Sequence, residues 1–155
     1  MSRAINLDAA AIVTQVSKRT LWRRLSDGQI TREDNDEEGR TMLTFERIVP
    51  MLCVSVAPED YELLIEAAAG DADAQNDLAL LFLDADKPEI GLHFLNMAAD
   101  QGNPDAMHNL SKLHIKGIGT QKDESTGLMW LAKAASFGHV IASQQITALT
   151  QARKA

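Results

Sequence analysis

The sequence contains a single cysteine, Cys53, among 155 residues. One cysteine forms neither an intramolecular disulfide nor a cysteine-based zinc site, so noncovalent packing must hold the fold, and we interpret Cys53 as a small core residue. Aromatic residues make up only 5% of the chain, which disfavours a β-sandwich or barrel. With 45% hydrophobic and 24% charged residues, the composition predicts a mostly helical globular protein.

Long hydrophobic runs are also missing. No segment approaches the roughly 18 uncharged apolar residues that a membrane-spanning helix needs. Near the N-terminus Asp8 interrupts the apolar residues, and no small-residue cleavage site follows a basic segment, so no signal peptide is predicted. We expect a cytoplasmic protein with no membrane partner.

Motifs typical of enzymes and metal sites are absent as well. There is no Gly-x-Ser-x-Gly turn, phosphate-binding loop or His-Glu-x-x-His motif. Residues 34–39 resemble the start of a calcium-binding EF-hand loop, but Phe45 stands where that loop needs glutamate. The four histidines have no i,i+4 partner on one helix and no cysteine partner. We therefore predict no catalytic residue, no metal site and no cofactor.

Charge is distributed unevenly along the chain, whose net charge is −7. Residues 1–57 carry eight Lys/Arg and eight Asp/Glu, whereas residues 58–155 carry seven and fourteen. The second part therefore holds the whole surplus of negative charge. We predict two modules, divided between residues 57 and 58, that face different partners.

The second part repeats itself around Gly70, Gly102 and Gly138. Each glycine has an alanine three residues before it and another four residues after it, with aliphatic residues seven before, eight after and eleven after. These are helical spacings on either side of a turn, and glycine past a helix end adopts the left-handed conformation. Asp71 and Asn103 are suitable N-caps. Helices are predicted at 58–69, 72–83, 88–100, 104–116, 123–136 and 140–152.

The segment from Gly102 to Gly138 resembles a Sel-one-like repeat, a relative of the tetratricopeptide repeat, and the resemblance extends over about residues 58–150. The preceding unit is four residues shorter, and the third stops after its first helix. The repeat-defining residues are Gly70, Ala74, Gly102, Ala106, Gly117, Gly119, Trp130 and Gly138. The resemblance implies a right-handed α/α superhelix whose concave face binds proteins or peptides. Trp130 and its equivalent Phe94 stand eight residues before a glycine, which favours core packing.

Residues 7–52 have a different pattern. A short apolar helix over residues 7–16 is followed by a tight turn and a second helix, for which Ser17 is a good N-cap. Residues 30–32 and 40–45 read as short strands around an acidic hairpin tip. A last helix follows, which Pro50 should kink or end.

This order resembles the winged helix-turn-helix of MerR-like regulators and excisionases, and residues 16–25 match that family's recognition-helix pattern. The resemblance implies that the second helix approaches a DNA major groove through Lys18, Arg19, Thr20, Trp22, Arg23 and Arg24. The hairpin departs from the family, because five carboxylates replace the usual basic residues. The alternative is a solvated or protein-binding helix face, with Trp22 packed on the hairpin or on the first repeat helix.

The expected fold is mostly α, with a short α/α superhelical repeat array at residues 58–155 preceded by a small winged helix-turn-helix-like module with a β-hairpin at residues 1–57. The function we favour is a cytoplasmic, bacterial-type adaptor or regulator, not an enzyme, whose repeats bind a protein partner. The alternative is a transcriptional regulator that binds DNA through the first module, as a homodimer or beside a partner, and uses the repeats to dimerise or to sense a partner.

Overall fold

The computed structural model describes residues 3–155, which are mostly α-helical. The chain forms two compact units that divide after Gly70. The described part of the first unit contains a small sheet and short helices, and the second unit consists of helices joined by short loops. The predicted fold class, a helical repeat array preceded by a small module with a hairpin, is therefore confirmed.

The first unit is built around a three-stranded antiparallel sheet with the order β1-β3-β2. In the ladder between β1 and β3, the fully buried Ile5 pairs with the fully buried Leu43. The sequence had indicated the hairpin but not β1. The elements in chain order are β1 (Ala4–Asn6), α1 (Leu7–Thr14), α2 (Lys18–Ser26), β2 (Arg32–Glu33), β3 (Met42–Thr44), α3 (Phe45–Ile48), a 3-10 turn (Val49–Met51), a second 3-10 turn (Pro58–Asp60) and α4 (Tyr61–Ala69).

Local sequence explains where these helices begin and end. The Ser17 side chain accepts the backbone N–H of Thr20 at 3.2 Å, as predicted for the N-cap of α2. After α3 the chain tightens into a 3-10 turn around Pro50, because proline supplies no N–H to continue an α-helix. The prediction that Pro50 kinks or ends this helix is therefore confirmed, since α3 ends at Ile48.

Helix α4 packs within the first unit. The Asn6 side chain donates a hydrogen bond to the Ala68 carbonyl at 2.6 Å, and the rings of Phe45 and Tyr61 meet edge to face at 5.4 Å. These contacts explain why the compact unit ends at Gly70, after α4. A domain boundary between residues 57 and 58 stays a prediction.

The second unit contains two helical hairpins and one further helix. Its helices are α5 (Ala72–Asp84), α6 (Pro88–Asp100), α7 (Pro104–Lys116), α8 (Glu124–Ser136) and α9 (Val140–Lys154). Their bounds agree closely with the predicted ones, and Asp71 and Asn103 are N-caps as expected. The backbone at Gly70, Gly102 and Gly138 has φ of +113°, +91° and +92°, the left-handed turn that the repeat requires.

The core confirms most of the predicted apolar positions and corrects two of them. The alanines four residues after each glycine are buried, and so is Phe94. Trp130 is only half-buried, and the Lys133 ammonium lies 4.8 Å from its ring centre, so Trp130 lies at the edge of the core rather than inside it. Leu149, eleven residues after Gly138, is 46% exposed, whereas its equivalent Leu113 is 6% exposed.

Two glycines inside helices allow the hairpins to close. Gly91 in α6 and Gly127 in α8 each stand eleven residues before a turn glycine. A Cβ at Gly127 would lie 2.5 Å from Ile115 Cγ1 and 3.0 Å from the Ser111 carbonyl oxygen, and Gly91 meets α5 in the same way. The paired helices therefore cross at a point where glycine's hydrogen fits and a Cβ atom does not.

Replacing Gly127 with alanine should destabilise the second unit. Overpacking of this kind costs about 1–3 kcal/mol, and the higher helix propensity of alanine returns only about 0.5–1 kcal/mol. We expect a lower midpoint of urea unfolding for Gly127→Ala, and no comparable change for the exposed control Ser125→Ala. A Gly127→Ala protein as stable as the parent would contradict the close crossing.

Candidate protein-binding surfaces

Helix α2 presents a basic face to solvent. Lys18, Arg19, Trp22 and Arg23 are all exposed, and Trp22 is 44% exposed. Lys18 forms an ion pair with Asp8. Within residues 3–155, no carboxylate lies within 4 Å of the guanidinium groups of Arg19 or Arg23. This face is available to an anionic partner.

The other two candidate residues of α2 are partly used inside the unit. Thr20 is half-buried, and its hydroxyl accepts a hydrogen bond from Ser17 at 3.0 Å. Arg24 is half-buried, and its carbonyl accepts the backbone N–H of Gln29 at 2.9 Å, which helps to turn the chain after α2. Four of the six predicted residues are therefore exposed, and the other two are half-buried.

The hairpin carries less unpaired negative charge than its sequence indicates. The Arg40 guanidinium lies 2.6 Å from Asp36 Oδ2 and 3.2 Å from Glu38 Oε2. Burial acts to raise the pKa of Asp36, but hydrogen bonds and charge from Arg40 outweigh it and hold that pKa below its ordinary value. Glu37 and Asp34 remain exposed.

In the second unit, each N-cap side chain of α7 and α9 serves two helices. Asn103 Oδ1 accepts a backbone N–H in the first turn of α7 at 2.8 Å, while its Nδ2 donates to Asp73 of α5 at 2.7 Å. His139 Nδ1 accepts a backbone N–H of α9 at 3.0 Å, and its Nε2 faces Asp105 of α7 at 3.4 Å. With Nδ1 as acceptor, the neutral ring carries its proton on Nε2. The same arrangement, an N-cap side chain that also contacts an aspartate of the preceding first helix, thus occurs between successive repeats.

A second pair of hydrogen bonds repeats further along the same helices. Asn109 Nδ2 donates to Asn76 Oδ1 at 2.9 Å, and one repeat later His108 Nε2 lies 3.0 Å from Gln145 Oε1. In each pair, the residue six positions after one glycine meets the residue seven positions after the next. These contacts join α5, α7 and α9 into one surface. We call it the ladder face, formed by Asn76, Asp77, Leu80, His108, Asn109, Lys112 and Gln145.

The charge of the second unit changes sign along its length. Residues 71–103 carry seven Asp/Glu and one Lys, whereas residues 104–155 carry three Asp/Glu and six Lys/Arg. On the ladder face, Asp77 of α5 and Lys112 of α7 are exposed, and Leu80 adds an apolar side chain that is 40% exposed. A partner lying along this surface from α5 toward α7 would therefore contact negative charge first and positive charge next.

An apolar cleft of about 520 Å³ opens where α9 meets α7 and α8. Its walls include Ile115 of α7, Leu128 and Leu131 of α8, and Leu149 of α9. A neighbouring groove along α9 is lined by Ile146 as well. The sequence analysis did not identify this cleft.

Other kinds of site are not found in the described residues. Among residues 3–155, no three His, Cys, Asp or Glu side chains converge closely enough to hold a metal ion. The rings of His108 and His139 stack with centroids 4.3 Å apart; His108 Nε2 bonds to Gln145 of α9, and His139 Nδ1 accepts a backbone N–H in the first turn of its own helix. None of the helices in this range has the length and apolar character needed to cross a bilayer.

Comparison with known proteins identifies the repeat. Residues 72–103 and 104–139 each match the Sel1 repeat family, and each match begins with the first helix of a hairpin. No curated protein matches the sequence significantly. A solved structure with a similar fold is the crystal structure of a Sel1 repeat protein from Oxalobacter formigenes, at 29% sequence identity and a TM-score of 0.53. The match covers 58% of this chain and 39% of that one.

Residues 72–139 therefore form two Sel1 repeats, which confirms the predicted resemblance for this segment. Sel1 repeats are generally protein–protein interaction modules, so a protein partner is consistent with the repeat unit. The first unit lies outside the two matched segments, and its resemblance to a winged helix-turn-helix stays a prediction.

The histidines of the repeat unit should make its stability depend on pH. Burial lowers the pKa of His93 and is also the main cause of the lowered pKa of His108. A histidine with a lower pKa in the folded state stabilises the fold above its unfolded value of about 6.5, and this contribution is lost as the pH falls below it. We expect a lower melting temperature at about pH 5.5 than at about pH 7.5.

The double variant His93→Gln with His108→Asn removes the titrating groups. Its melting temperature should fall less between the two pH values than that of the parent, as measured by circular dichroism at 222 nm. An equal fall in both proteins would show that other groups control the pH dependence.

Proposed function

We propose that this chain is an adaptor or regulatory protein that binds a protein partner along the ladder face of its repeat unit. The observation that carries the proposal is the repeated pair of hydrogen bonds that joins α5, α7 and α9 side by side. Because these bonds fix the helices before a partner arrives, little conformational entropy is lost on binding. No catalytic activity is part of this proposal.

The exposed side chains of the ladder face indicate how a partner would be selected. Asp77 and Lys112 lie on neighbouring helices and carry opposite charges, while Leu80 supplies apolar contact area. Complementary charges increase the rate of association and exclude partners with the wrong charge pattern. A peptide or protein surface with a basic segment followed by an acidic one would match this arrangement.

Exchanging the two charges should weaken partner binding without changing the net charge. We expect the full-length variant Asp77→Lys with Lys112→Glu to recover about tenfold less of the partner than the parent does in affinity capture from native cells, because like charges would then face each other. Quantitative mass spectrometry of the captured proteins measures the change.

The matched control exchanges Asp100 and Lys133, which are exposed on α6 and α8 outside the ladder face. This variant should recover the partner at the parental level. Equal recovery by both folded variants would contradict a binding site on the ladder face, and the absence of any reproducible partner would contradict the adaptor function.

A second candidate function is DNA binding by the first unit. The specific observation in its favour is the exposed face of α2, on which Arg19 and Arg23 lie one helical turn apart and Trp22 is also exposed. Arginines in this arrangement can bind guanine edges or phosphates in a major groove. The exposed acidic residues of the hairpin act against such binding. The repeats would then dimerise the regulator or detect its partner.

A gel-shift assay with genomic fragments in about 50–100 mM salt distinguishes this function from the first. If α2 binds DNA, Arg19→Ala with Arg23→Ala should abolish the retarded species and alter transcript levels, whereas Arg47→Ala with Arg153→Ala, which removes as much charge elsewhere, should weaken binding far less. If the parent protein gives no retarded species, the regulator function is excluded.

A further inference from the structure

We infer that the ladder face contains an acid-sensitive junction: protonation of the stacked pair His108 and His139 opens the contact between α7 and α9, while the equivalent contact between α5 and α7 stays closed. In the open state the hydrogen bonds of both rings are broken and the first turn of α9 is exposed to solvent, whereas α8 still packs along α9. The consequence for partner binding rests on the proposed adaptor function, but the opening itself does not.

The two junctions of the ladder face have the same geometry and different side chains. In the first junction, between α5 and α7, Asn103 is the N-cap and Asn76 accepts a hydrogen bond from α7. In the second junction, between α7 and α9, His139 stands in the place of Asn103, and His108 stands in the place of Asn76. An asparagine amide does not titrate, whereas imidazole gains a charge near neutral pH. Of the two, the second junction therefore responds to mild acid.

The N-cap of α9 requires a neutral His139. Its Nδ1 accepts the backbone N–H of Ala142 at 3.0 Å, so the proton of the neutral ring is on Nε2, which faces Asp105 at 3.4 Å. A second proton can bind only to Nδ1, where it would point at the Ala142 N–H and end the hydrogen bond. The cation would also lie at the N-terminus of a helix, where the macrodipole is positive. Protonation thus removes the cap and adds repulsion at the same place.

The second ring adds to this cost. The His108 ring donates from Nε2 to Gln145 Oε1 at 3.0 Å and stacks on the His139 ring. Burial is the main cause of the lowered pKa of His108, and the hydrogen bond to Gln145 acts in the opposite direction. The charges of His139 and Lys112 lower this pKa further, and the charge of Asp105 raises it. If both rings were protonated, two cations would face each other with centroids 4.3 Å apart.

Little negative charge is available to compensate for the two cations. Among residues 3–155, Asp105 is the one carboxylate within 4 Å of a ring nitrogen of the pair, and its side chain is 67% exposed, so water weakens its attraction. Charged groups on the neighbouring helices have other contacts or lie elsewhere: Asp73 and Asp77 of α5 with Asn103 and Asn76, Glu124 of α8 with Lys122, Lys133 of α8 over Trp130, and Arg153 and Lys154 in the last turn of α9.

The direction of the pH response follows from these contacts. Because the pKa of His108 is lower in the closed junction than the value of about 6.5 in an unfolded chain, the closed state is favoured above that pH, and this preference is lost as the pH falls below it. Protonation of His139 acts in the same direction, since it removes the cap. The first junction contains no histidine and should stay closed in this range.

Two buried alanine amides allow the junctions to be measured separately. The Ala142 N–H is bonded to His139, and the Ala106 N–H is bonded to Asn103 at the equivalent position. Hydrogen exchange of the full chain, followed by NMR at about pH 7.5 and about pH 5.5 and corrected for the intrinsic rate at each pH, gives a protection factor for each amide. We expect the factor for Ala142 to fall about tenfold or more in acid, and that for Ala106 to fall several-fold less.

Replacing both rings with asparagine gives the second junction the side chains of the first. In His108→Asn with His139→Asn, the Ala142 amide should keep its protection at both pH values. The matched control, His93→Gln with His114→Gln, removes the two histidines outside the junction and should retain the loss of protection in acid.

The inference is overturned if Ala142 stays protected in the parent protein at about pH 5.5, if Ala106 loses protection equally, or if the asparagine variant loses as much as the parent. The comparison of the two amides in the parent protein needs no variant, so it remains decisive even if a variant fails to fold.

Affinity capture at the same two pH values tests the consequence for binding. The parent protein should recover several-fold less of the partner at the lower pH, and the asparagine variant should recover it at the same level at both. An equal fall in both proteins would contradict control of binding by this junction. The exchange measurement needs no partner, so failure of the Asp77 and Lys112 capture experiment would leave its result intact, and its own failure would leave the capture result intact.

Discussion

The side chains of Asn103 and His139 each begin one helix and at the same time hold the first helix of the preceding repeat. This double use requires that the N-cap of one repeat lie next to Asp73 or Asp105 of the repeat before it. The spacing between successive first helices is therefore fixed at their N-terminal ends. The bonds from Asn109 to Asn76 and between His108 and Gln145 follow from that spacing further along the helices.

The same register explains the ladder face of the repeat unit. Where all three first helices lie in contact, their outward side chains form the ladder face. Between α9 and the preceding hairpin, Leu149 lines an apolar cleft together with Ile115, Leu128 and Leu131. The repeat unit thus has a polar surface whose charge changes sign along its length, and an apolar cleft. The basic face of α2 belongs to the first unit and has a separate origin in its own sequence.

Much of the fold could be predicted because the glycine spacing identifies the turns, and the residues after Gly70 and Gly102 identify the helix starts. The exposure of Leu149 could not be predicted from its spacing alone, since the spacing implies burial only if a neighbouring helix covers it. The position of Trp130 at the edge of the core could not be predicted either, since a wide ring on a helix can lie along the surface beside Lys133. Strand β1 spans only three residues, too few for a hydrophobic alternation to be recognised.

The central claim is that this protein binds another protein through its Sel1 repeats. Hydrogen–deuterium exchange of the full chain, alone and in complex with a captured partner, tests this claim most directly. The account predicts slower exchange in α5, α7 and α9 on binding, and unchanged exchange in α2 and the hairpin between β2 and β3. Slower exchange confined to α2 and that hairpin, with none in the repeats, would contradict it.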